Sequence, residues 1–85
     1  MNIALIGQAA FGEAVYRKLL EQNECVAAVF FEREGDPLHA LAQEQDVPAY
    51  PTKMLRDREF FETYANLAID LNVMAIHTFI RMISL

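Results

Sequence analysis

The sequence is poor in the residues that would give it away. Cys25 is its only cysteine, so an internal disulfide and a cysteine-based metal site are both excluded, a usage that suits a reducing compartment. Its seven Lys and Arg are scattered from Arg17 to Arg81 against twelve Asp and Glu, for a net charge of −5. There is no basic cluster to follow a nucleic-acid backbone, and nucleic acid is not an expected partner. No stretch approaches the ~20 apolar residues of a membrane-spanning helix. The apolar start Ile3-Ala4-Leu5-Ile6 lacks a positive flank and stops at Gly7, so it reads as a strand and not as a secretion signal. The expectation is a cytoplasmic protein without a membrane partner. With three Gly, three Pro, 54% hydrophobic and 22% charged residues, the chain has the profile of a folded one. At 85 residues it is a single small domain, burying a smaller share of its surface than larger ones do.

What is present is an alternation of two periodicities. Ile3 to Ile6 and Cys25 to Phe31 are continuous apolar runs of strand length, and Leu71 to Ile76 is a third whose only polar interior residue is Asn72, the signature of strands buried on both faces. Phe11, Val15 and Leu19 recur at helical spacing between the Gly7–Gly12 turn and Gln22-Asn23. Asp36-Pro37 opens a second helix, with Asp as N-cap and Pro at the first helical position, running to about Gln45. Val47-Pro48-Ala49-Tyr50-Pro51 allows only a short edge strand, since neither proline has a backbone donor. Phe60, Phe61, Tyr64 and Leu67 predict a third helix over 57–66. Strands alternating with helices imply parallel pairing by right-handed crossovers. The expected fold is α/β, a partial doubly wound, Rossmann-like parallel sheet in order 3-2-1-4 with three helices. The outer edge of the fourth strand, Leu71 to Ile76, is expected to be free, and self-association through it is expected.

Few residues carry a chemical signal. Gly7-Gln8-Ala9-Ala10-Phe11-Gly12 joins a strand to a helix, and Glu32 follows Gly12 by twenty residues at the end of the next strand, the context of a dinucleotide-binding loop. Ala9, however, puts a methyl group where the fingerprint's middle glycine lets a pyrophosphate approach. The alternative needs no ligand: Gly7 makes the turn and Gly12 lets the helix pack close to the strand. Glu32 is then one of several solvated acids. His39 reads as a surface residue, Cys25 as an inert core residue, and His77, at the end of the fourth strand, has no neighbouring His or carboxylate in sequence to make it a ligand or a base. No metal is expected.

The strings themselves say more. Met1-Asn2-Ile3-Ala4-Leu5-Ile6-Gly7-Gln8, Phe11-Gly12, Val15-Tyr16, Asp36-Pro37-Leu38, Val47-Pro48, Leu71-Asn72-Val73 and Phe79-Ile80 follow one another as in the opening of the formyltransferase family's catalytic domain, and the chain resembles that segment over its whole length. The resemblance implies 10-formyltetrahydrofolate as the substrate and a folate as the small-molecule partner. It also implies that the loop after the fourth strand holds the pterin ring, a role falling on Thr78, Phe79, Ile80 and Arg81, with Met82 contributing. Without it, Phe79, Ile80, Met82 and Ile83 would simply begin an amphipathic helix. The family's Asn, His and Asp, which polarise the formyl group and manage its proton transfers, follow the pterin loop. The expectation is therefore an N-terminal, truncated segment without catalytic residues, for which neither Asn72 nor His77 substitutes. A nucleotide-binding module of the NAD type and a remnant without a ligand are the other readings.

Overall fold

The computed structural model describes residues 1–76 and 79–84. Along the chain come β1 (Asn2–Gly7), α1 (Ala9–Glu21), β2 (Cys25–Phe31), α2 (Pro37–Glu44) and β3 (Ala49–Pro51). Two 3-10 turns, Thr52–Arg56 and Arg58–Phe60, then lead into α3 (Phe61–Asn66), β4 (Leu71–Ile76) and β5 (Phe79–Ser84). The sheet runs β3-β2-β1-β4-β5; its first four strands are parallel in the expected order, with three helices.

The fifth strand is a departure from the expectation. Phe79–Ser84 pairs antiparallel with the whole of β4, from Ile76 opposite Phe79 to Leu71 opposite Ser84, so the outer edge of β4 is covered and not free. The apolar residues of this segment fit a helix start and a half-buried strand equally well. The antiparallel strand wins because it satisfies the backbone donors and acceptors that β4 would otherwise leave open. Phe79, Ile80 and Arg81 accordingly lie on a strand and not in a loop, while His77 and Thr78 fall outside the described residues.

Side chains alternate between two cores. Ile3 and Leu5 of β1, with Val73 and Ala75 of β4, pack under α1 and α2 against Tyr16, Leu38, Leu41 and Ala42. Ala4, Ala28 and Phe30 face the other way, against Phe60 and Ile69. Between β1 and β2 the register slips: Ile3 lies opposite Val26, but Ala4 lies opposite Ala28. The extra residue, Ala27, flips the alternation, which is how Val26 joins Val29 and Phe31 on the α1–α2 side although it is three residues from Val29.

The helices end as their sequences dictate. Asp36 caps α2, its Oδ1 accepting from the His39 amide at 2.8 Å, with Pro37 at the first position. Asn23 (φ 59°), Asp46 (φ 61°) and Ala68 (φ 53°) each take the left-handed conformation just past a helix. Behind α2, the Val47 amide donates back to the Ala42 carbonyl at 2.9 Å.

Two helices start elsewhere than their periodicity indicates. Helix α1 begins at Ala9, so Gly12 lies inside it and is buried. Helix α3 begins only at Phe61, because the Asp57 carboxylate accepts from the Glu59 amide at 2.9 Å and closes a 3-10 turn first. That turn sends Phe60 into the core and leaves Phe61 76% exposed. Two adjacent aromatic residues cannot both face one sheet.

Candidate functional site

In an open parallel sheet, ligands bind beyond the carboxyl ends of the strands where the chain reverses direction, here between β1 and β4. Five residues share one row across that end of the sheet: Pro51, Phe31, Gly7, Ala75 and Ile80, on β3, β2, β1, β4 and β5. The Gln8 amide donates to the Ala75 carbonyl at 3.2 Å and fastens the end of β1 to β4. The Gln8 carbonyl then accepts from the Gly12 amide at 2.8 Å, opening α1.

Gly7 and Gly12 are used for contact. A Cβ on Gly7 would sit 2.9 Å from the Gly12 Cα, and a Cβ on Gly12 would sit 2.8 Å from Leu38 Cδ2. The residue of the loop that turns the chain through the left-handed region is Ala9, at φ 38°, and not Gly7. Of the two readings of this loop, close packing is the one realised by its glycines.

Beside the loop lies a cleft of about 270 Å³ lined by Gln8, Ala9, Glu32, Arg33 and Asp36. Glu32 is exposed, as expected of a solvated acid. The lining thus brings two carboxylates and one guanidinium to the start of α1. Asp36 Oδ2 is buried and has no hydrogen-bond partner among the described residues. Sequence reasoning identified Asp36 only as a cap and gave no signal for Arg33.

The remaining candidates are structurally committed. His39 is half-buried and not a free surface residue: its ring stacks on Phe31 at 4.0 Å and 8°, and its Nδ1 accepts from the Gly35 amide at 2.8 Å. Asn72 Oδ1 accepts from the Tyr64 hydroxyl at 2.9 Å. Cys25 is exposed, not a core residue, because it opens β2 at the amino end, where its Sγ lies 3.7 Å from Asn2 Oδ1. Tyr16 is fully buried, its hydroxyl has no partner among the described residues, and burial pushes its pKa up. No group of three metal-ligating side chains converges among the described residues, and no described helix is long and apolar enough to cross a membrane.

No protein-family model matches the chain. It is similar to the cytosolic 10-formyltetrahydrofolate dehydrogenase of Xenopus tropicalis, at 37% identity over 83 residues, covering 87% of this chain and 9% of that protein. The mitochondrial 10-formyltetrahydrofolate dehydrogenases of Mus musculus and Homo sapiens are 38% and 37% identical over 88 residues, covering 92% of this chain and 9% of each. The chain thus spans about a tenth of the length of the curated relatives it matches. Over that span it is similar to proteins named 10-formyltetrahydrofolate dehydrogenase.

Proposed function

We propose that these residues form the N-terminal, folate-binding part of a domain that transfers or hydrolyses the formyl group of 10-formyltetrahydrofolate, and that the formyl chemistry itself needs residues outside them. The relatives are named for that substrate. The observation that carries the reading is the cross-sheet row in which Ile80 follows Gly7 and Ala75, with Phe79 opposite Ile76 at the carboxyl end of β4. In this reading Thr78, Phe79, Ile80 and Arg81 serve a flat heteroaromatic ring, the last three from β5 at this end of the sheet.

Among the described residues, two side chains of the types used in formyl transfer have other partners. His39 is held between Phe31 and Gly35, and Asn72 is held by Tyr64. Losing even one donor to the developing oxyanion typically costs ~10²–10³ in rate. The proposal is therefore a chain that holds folate without turning it over, needs no metal, and works in the cytosol as the Xenopus tropicalis relative's name has it.

A second reading, an NAD-type module, rests on the cleft formed by Gln8, Ala9 and Glu32. Calorimetric titration separates the two. Folic acid should bind saturably and NAD should not; saturable NAD binding with no heat from folic acid would transfer the function to the cleft.

A further inference from the structure

Between the end of β2 and the start of α2 the chain crosses the carboxyl edge of the sheet through Glu32 to Asp36, and all of this segment but Asp36 is exposed. It supplies Glu32, Arg33 and Asp36 to the cleft beside Gln8 and Ala9. A segment with so little apolar burial depends on its hydrogen bonds for its position. The Asp36 amide donates to the Arg33 carbonyl at 3.1 Å, while Asp36 accepts from the His39 amide through Oδ1 at 2.8 Å and from the Ala40 amide through its carbonyl at 2.9 Å. None of these contacts involves a ring nitrogen. The other fastening does: Gly35, at φ 80°, donates its amide to Nδ1 of His39 at 2.8 Å.

Phe31, itself 4% exposed, holds the His39 ring in plane by stacking on it at 4.0 Å and 8°. A ring nitrogen that accepts a hydrogen bond carries no proton. Protonation gives the imidazole its second N–H, and two donors then face each other across the same 2.8 Å. The hydrogen bond is lost, and water can take the Gly35 amide because Gly35 is exposed.

The charged groups nearby do not replace this contact. Glu32, Arg33 and Glu34 are exposed, Lys53 shares a hollow with Phe31, Glu32 and Glu34, and the Asp36 carboxylate caps α2. On the neighbouring α1, Arg17 pairs with Glu13 and Lys18 with Glu21. Among the described residues, none of these groups forms an ion pair with the His39 ring.

We propose that His39 is a pH-dependent latch on the wall of the cleft: the neutral ring holds the Glu32 to Asp36 segment through Gly35, and the protonated ring releases it. The latch is independent of the folate reading, whose described residues lie on β5.

Nuclear magnetic resonance of the full 85-residue chain tests it, in a titration from pH ~8 to pH ~5, the span over which a histidine changes charge. The Gly35 amide and the His39 ring signals should move with one midpoint, and the Glu32 and Arg33 amides should follow. Protection of the Gly35 amide against exchange, corrected for the intrinsic rate, should fall roughly tenfold, the worth of one hydrogen bond. His39→Asn keeps an acceptor that does not titrate and should hold the Gly35 amide at its alkaline position throughout. His39→Phe keeps the stack without an acceptor and should hold that amide at its acid position. The ring signal missing from both variants distinguishes His39 from His77. A Gly35 amide that ignores the His39 titration, a pH-dependent shift that persists in His39→Asn, or full protection in His39→Phe would overturn the proposal.

Discussion

Gly7 and Gly12 touch: the end of β1 and the first turn of α1 approach so closely that a methyl group on Gly7 would lie 2.9 Å from the Gly12 backbone. Gly7→Ala must push backbone against backbone and should cost about 1–3 kcal/mol, in the range of overpacked cores. Gly12→Ala meets the end of the Leu38 side chain first and gains about 1 kcal/mol of helix propensity, so it should cost less. Urea unfolding of the two variants checks the order.

Ala9 is an exposed alanine at φ 38°, a conformation that glycine adopts without strain. Ala9→Gly should stabilise the chain by about 0.5–1 kcal/mol net of the added freedom of the unfolded state. It should also leave NAD unbound, since the carboxylates of Glu32 and Asp36 stay in place. Thermal unfolding and an NAD titration of the same variant measure both effects.

The Tyr16 hydroxyl is buried without a partner among the described residues, so Tyr16→Phe should be neutral or stabilising by about 1 kcal/mol. The pH dependence has a definite sign. The folded state raises the pKa of Tyr16 above its ordinary value near 10, so the neutral phenol's contribution is complete below pH ~10 and is lost as pH rises from there through the folded-state pKa. The wild type should therefore lose more stability above pH ~10 than Tyr16→Phe does. Equal alkaline slopes for the two proteins would contradict the burial of that hydroxyl.

Much of this architecture can be read from the residues. Cys25–Phe31 and Leu71–Ile76 are bounded by polar residues on either side, and parallel strands buried on both faces leave no other pattern. Asp36-Pro37 fixes the start of α2 because its cap is local chemistry. The parts that escape are those decided by tertiary competition. Phe79 to Ser84 suits helix and strand alike until β4 offers a ladder to complete. Phe60 and Phe61 look equivalent until the Asp57 turn chooses which of them is buried. At the site, the glycine loop is legible, but its partner Leu38 and the cleft walls Arg33 and Asp36 come from another helix and its approach, and no local spacing announces them.

Equilibrium dialysis of the 85-residue chain against 10-formyltetrahydrofolate tests the functional account most directly, because it reads retention and conversion in one sample. The account predicts an excess of ligand on the protein side, still formylated, that falls for Phe79→Asp and for Arg81→Glu and is unchanged for Cys25→Ser. Absence of any excess, or conversion to tetrahydrofolate that His77→Ala abolishes, would contradict it.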